Sequence, residues 1–167
     1  MLEILFLLAV KGFEIFTIPK EGSSLSPIAN CKSAFNPATN EIIIFGGQDT
    51  TILEYLNSFY AFNIETLVWG EIIPQSYENP PGLILGEIFL VDSKKILLFF
   101  GKTADTISSE VYSFDLKTNR WAVENLSGYN IEGRMNYAFA DYLYNNTRCL
   151  AIYGGLTSKG VDNGLFM

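Results

Sequence analysis

One short pattern occurs three times in this chain: an apolar run that ends in an aromatic residue and then glycine. It reads IIIFGG at 42–47, ILLFFG at 96–101 and LAIYGG at 150–155. Phe45, Phe99 and Tyr153 stand 54 residues apart, and so do Gly47, Gly101 and Gly155. A second pattern follows in register. SFYAFN at 58–63 is answered by EVYSFD at 110–115, and a tryptophan comes nine residues after the tyrosine in both copies, Trp69 after Tyr60 and Trp121 after Tyr112. Both pairs are 52 residues apart, and Phe166 falls 54 after Tyr112. A period near fifty constrains the fold strongly, because a unit of that size cannot bury its own apolar face and has to stack on its neighbours.

Within each repeat the apolar runs are four to eight residues long, rich in Ile, Phe and Tyr, and bounded by Pro, Gly, Asn and Asp. That is the signature of strands, and no stretch keeps a helical 3.6 period. Four strands, a to d, are expected at 28–36, 41–47, 57–64 and 67–74 in the first repeat and at 83–91, 95–101, 109–116 and 120–126 in the second. The third should hold 136–144, 148–154 and the start of c at 164. Residues 3–18 read as a hairpin around Lys11 and Gly12.

The glycine pair after strand b, the Tyr-x-Phe-(Asn/Asp) run and the Trp nine residues after the Tyr resemble the kelch-repeat β-propellers over about residues 27–167. Departures exist: Phe100-Gly101 replaces the glycine pair, the third copy ends before its Trp, and Phe35 and Asn36 precede a short strand b in the first. The resemblance implies an all-β fold of four-stranded antiparallel blades, here an incomplete ring of about three blades plus an N-terminal hairpin. The expected division of 1–167 is a c–d hairpin at 1–19, blades at 27–79 and 80–128, and a truncated blade at 134–167. Dividing 167 by 52 gives about 3.2 blades, whereas propellers close with about four to eight. The chain is therefore expected to be a fragment of a longer one, or a subunit capped by neighbouring chains. Tyr60, Tyr112, Trp69 and Trp121 are read as packing between sheets rather than as ligand-stacking residues, because a site is needed once and a packing device in every blade.

Loop lengths point to a surface. The a–b and c–d turns are short, whereas the b–c loops (48–57, 102–108, 157–163) and the d–a loops (74–81, 127–133) are long and lie at one end of the propeller. Long loops on a rigid scaffold are where binding surfaces form. The resemblance implies non-catalytic protein–protein interaction through residues just after the glycine pair and residues leading into strand a. At matching positions these are Gln48, Asp49, Lys102, Thr103, Thr157, Ser158, Arg134 and Asn136. Arg134 stands out as a planar donor able to grip a carboxylate bidentately, with a packing or cross-loop role as the alternative. In the first case, reversing its charge together with that of Lys102 should weaken capture and leave stability nearly unchanged.

The chain has no histidine, which removes Ser-His-Asp and Cys-His catalysis and His-ligated metal sites. Propeller enzymes of the resembling family, copper oxidases of the galactose oxidase type and iron-dependent specifier proteins, need histidine too. No catalytic residue, cofactor or metal is assigned. Asp49, Asp105, Glu110 and Asp162 match no calcium loop and are read as solvated carboxylates, and neither glycine pair is followed by the Lys-Ser/Thr of a phosphate cradle. Cys31 and Cys149 are read as free thiols. The apolar run at 4–10 is too short for a membrane span and has neither basic residues before it nor a small-x-small site after it, so the expected compartment is the cytoplasm, with secretion as the lesser alternative. With 18 acidic against 11 basic residues the net charge is −7. Nucleic acid and anionic membranes therefore fit poorly as partners, and a basic or neutral protein, engaged as a peptide segment or a neighbouring subunit, fits better. The competing functions are a structural subunit of a larger assembly and, behind it, a carbohydrate-active enzyme on a propeller scaffold.

Overall fold

The computed structural model describes residues 8–10, 13–15, 26–125 and 131–167, the first two segments by backbone alone. The remainder of the expected hairpin, and most of the loop at 127–133, lie outside the described residues. Strands β1 (Leu8–Val10) and β2 (Phe13–Ile15) pair antiparallel. The first blade then comprises β3 (Ile28–Ala29), β4 (Lys32–Asn36), β5 (Glu41–Phe45), β6 (Gln48–Asp49), β7 (Phe59–Asn63) and β8 (Val68–Glu71). The second holds β9 (Glu87–Val91), β10 (Lys95–Phe99), β11 (Val111–Asp115) and β12 (Arg120–Val123). The third holds β13 (Arg134–Met135), β14 (Ala138–Tyr144), β15 (Thr147–Tyr153), β16 (Leu156–Thr157), β17 (Gly160–Val161) and β18 (Leu165–Phe166). The main sheets run β4-β5-β7-β8, β9-β10-β11-β12 and β14-β15-β18, antiparallel throughout. The first two are the expected a-b-c-d meanders, and the third holds a, b and the start of c. No helix occurs among the described residues, so none of them forms a helix long and apolar enough to cross a membrane.

The last residue of the Tyr-x-Phe-(Asn/Asp) run closes the c–d turn. Asn63 Oδ1 accepts from the N–H groups of Glu65 and Thr66, and Asp115 Oδ1 from those of Lys117 and Thr118. A side-chain carboxylate or amide that takes two turn amides holds the chain in position for strand d. Leu67 and Asn119 complete these turns at φ 59° and 54°. The a–b turn at Asn145-Asn146 puts both residues at positive φ, the geometry that matches strand twist in a two-residue hairpin.

In the first two blades strand a is not the continuous run expected from sequence but is interrupted at Asn30 and Leu85, and in the third, expected to begin at 136, a short strand precedes a break at Asn136; the three residues take φ values of 58°, 59° and 54°. The two or three residues before each break leave the main sheet and join the loop face.

Two apolar layers separate the blades. Ile43, Phe45 and Phe59 of the first sheet pack against Ile96, Leu98, Phe114 and Trp121 of the second. Trp121 lies 5.3 Å from Phe45 and 5.4 Å from Phe59 across that boundary. Phe99, Phe100 and Val111 meet Ile152, Tyr137 and Phe139 at the next one. The Tyr137 hydroxyl donates to Phe99 O at 2.8 Å, and burial pushes its phenol far above the ordinary tyrosine range. Trp121 thus performs the expected inter-sheet packing, whereas Trp69 packs on Phe62 of its own sheet at 4.8 Å.

Candidate functional site

The loop face is built on a small sheet repeated in each blade. The residue after the second glycine pairs on one side with the residues before the strand-a break and on the other with the returning b–c loop. Gln48 lies between Ala29 and Tyr55, Lys102 between Ile84 and Ile107, and Leu156 between Met135 and Val161. The glycines permit this. Gly47, Gly101 and Gly155 have φ of 98°, 102° and 101°, a region open to glycine at no steric cost. Their neighbours Gly46, Phe100 and Gly154 are also left-handed, so Phe100 adopts a conformation that its counterparts reach with glycine.

The second glycine also ties blade to blade. Gly47 N–H donates to Leu83 O, and Gly101 N–H to Arg134 O, each at 2.9 Å. Two further glycines let neighbouring loops touch: a Cβ on Gly82 would sit 2.1 Å from Tyr55 O, and one on Gly133 would sit 2.3 Å from Ser108 O.

Most of the eight residues expected at a partner surface are engaged within these loops. Asp49 is buried, and its carboxylate accepts from the N–H groups of Thr51 and Ile52, which hold it below the usual carboxylate range. Gln48 Nε2 donates to Leu53 O, and Thr103 Oγ1 to Thr106 O. Thr157 is buried and donates to Gly160 O, while Ser158 donates to Glu132. Asn136 supplies the strand-a break through its backbone. Lys102 is half-buried at the centre of its small sheet.

Arg134 needs the largest correction. It is 1% exposed, among the most completely buried side chains in the described protein. Its guanidinium donates to Gly154 O at 2.8 Å and to Glu132 O at 3.1 Å, pairs with Asp162 at 2.9 Å and covers the Phe166 ring at 4.6 Å. A buried charge requires such partners. The arginine therefore braces the third blade's b–c loop from inside, the cross-loop alternative, and the expectation that it can be reversed without loss of stability is withdrawn. Asp162, read from sequence as solvated, is its counter-ion. Its carboxyl is held low first by the Gly164 N–H and then by Arg134.

What the loops leave open is a groove of about 900 Å³ between the b–c loops of the first two blades. Leu53, Glu54 and Tyr55 form one wall, the stretch from Thr103 to Glu110 the other, and Tyr112 and Pro81 also line it. Gly82 lets the d–a loop touch the first wall at Tyr55. Partial burial, then the nearby Glu110 carboxylate, raises the Tyr112 phenol above its ordinary value. Of the sequence-derived residues, Gln48 and Thr103 reach the groove. Glu54 and Tyr55 were not singled out, and Asp105 and Glu110 were noted as loop carboxylates without a shared location. The one signal available was the acidic excess, which carries no position.

The tripled glycine turns, the strand-a breaks and the blade-to-blade bonds coincide with a match along the chain: residues 1–166 fit the family model described as the KLHDC2/KLHL20/DRC7 Kelch-repeats domain. This chain belongs to the kelch-repeat family. Kelch-repeat domains are in general protein–protein interaction modules and are typically non-catalytic. In this kelch chain the described residues hold no group of three carboxylate or thiol side chains close enough to share a metal ion. The kelch glycine pair, degenerate in the second repeat, keeps its backbone geometry there because burial of the Phe100 ring offsets the strain of its φ.

Proposed function

We propose that this chain is a non-catalytic interaction module that captures a partner polypeptide on the face carrying the b–c and d–a loops. The groove between the first two blades carries this reading. It is concave, mixed in polarity and fixed by backbone bonds on both walls, and Leu53 on its rim is exposed together with its neighbour Ile52. A peptide library selected on the immobilised chain tests the reading. Enriched peptides should lose binding when Leu53 and Ile107 are changed to Asp, and keep it when Lys117 and Thr118 on the opposite end are changed. Binding indifferent to the groove substitutions would overturn it.

A further inference from the structure

Resting on that reading of the groove, we propose that its occupant is a cationic segment: an extended peptide bearing several Lys or Arg side chains. Three carboxylates line the groove, Glu54 on one wall and Asp105 and Glu110 on the other, and the lining contains no lysine or arginine. All three are exposed, and none takes part in the ion pairs found among the described residues. By contrast, Glu132, Asp162, Glu124, Asp141 and Glu87 each have a cation of the chain beside them. The groove carboxylates are therefore uncompensated within the described protein. They are also too dispersed to share one metal ion, so their complement is several positive groups spaced along a chain rather than a point charge. Tyr55 and Tyr112 add aromatic surface to the same groove, against which the stem of a lysine or the plane of a guanidinium gains further attraction. An acidic segment would meet three uncompensated like charges there, a juxtaposition that interfaces avoid. The overall charge of −7 extends the attraction beyond contact.

The test uses the whole chain and three fluorescent peptides of equal length, one with lysines and arginines among glycine and serine, one with glutamates at those positions, and one with neither. Binding is followed by polarisation at low and at physiological salt. The cationic peptide should bind at least about tenfold more tightly than the other two, and addition of salt should weaken it. Glu54→Gln, Asp105→Asn and Glu110→Gln together should lower its affinity at least about tenfold with the unfolding midpoint unchanged. Glu41→Gln, Glu65→Gln and Glu71→Gln, which change net charge equally away from the groove, should leave it within about twofold. Equal losses in the two triple variants would reduce the effect to overall charge and overturn the proposal, as would no binding of the cationic peptide. If neutral or acidic peptides instead depend on Leu53 and Ile107, the cationic assignment falls while the interaction reading stands. If no peptide depends on the groove, both fall.

Discussion

At the scale of single residues, Arg134 and Phe100 show how one side chain can hold a loop that the repeat pattern leaves undetermined. Removing the guanidinium in Arg134→Met strands the Gly154 carbonyl and Asp162, so a loss of about 3 kcal/mol is expected in urea unfolding, in line with breaking a buried pair. A loss below about 0.5 kcal/mol would return Arg134 to the surface. Asp162→Asn should destabilise in the same direction, with a pH signature. Because the folded protein holds the Asp162 carboxyl below its ordinary value, its contribution is complete above the unfolded value and disappears as pH falls through the folded one. The stability gap between wild type and Asp162→Asn should accordingly be constant at neutral pH and shrink in acid. A gap that widens in acid would contradict the pairing. Phe100 sets two effects against each other. Glycine there would relieve a left-handed strain of about 1–2 kcal/mol, but the ring is buried, and losing a buried phenylalanine costs about 3–5 kcal/mol. Burial wins, and Phe100→Gly should destabilise by about 1–4 kcal/mol in the same assay.

At the scale of elements, the blade boundary depends on glycines that lie outside the sheets. A Cβ at Gly133 meets the backbone of Ser108 and Ser109, which cannot rotate away as a side chain could. Gly133→Ala is therefore expected to cost about 1–3 kcal/mol. Gly70, within β8, has no atom within 4 Å of its built Cβ and no positive φ, so Gly70→Ala should be neutral or slightly stabilising. Similar thermal shifts for the two would disprove the contact assignment. Strand positions and the order of the meander were legible in the sequence, because short apolar runs rich in Ile, Phe and Tyr and their Pro, Gly, Asn and Asp boundaries act over a few residues. The break in strand a was not. Asn stands at the break in two repeats but Leu85 in the other, and the left-handed backbone at all three is imposed by pairing of the preceding residues with the loop after the glycine pair.

At the scale of the whole molecule, each blade is completed by the sheet beside it. Phe45 and Phe99 are 3% and 4% exposed under the following blade, whereas the equivalent Tyr153 is 53% exposed, and Leu165 is 59% exposed where Phe59 and Val111 are 1% and 2%. An apolar sheet face left in water promotes association. The 167-residue chain should therefore self-associate with rising concentration in sedimentation velocity. Tyr153→Ser with Leu165→Ser should suppress this while shifting stability by no more than about 0.5 kcal/mol for each substitution. A parent chain that stays monomeric at high concentration, or a variant that associates equally, would show that this face is not responsible. The repeat length, the strand content and the spacing of the aromatic layer were set by the sequence alone, since each is a periodic property that every repeat states for itself. The interior position of Arg134 and the acidic groove were decided only in three dimensions. The walls of that groove come from loops about fifty residues apart, Glu54 facing a stretch that begins at Thr103, and only the packing of one twisted sheet against the next brings their charges together.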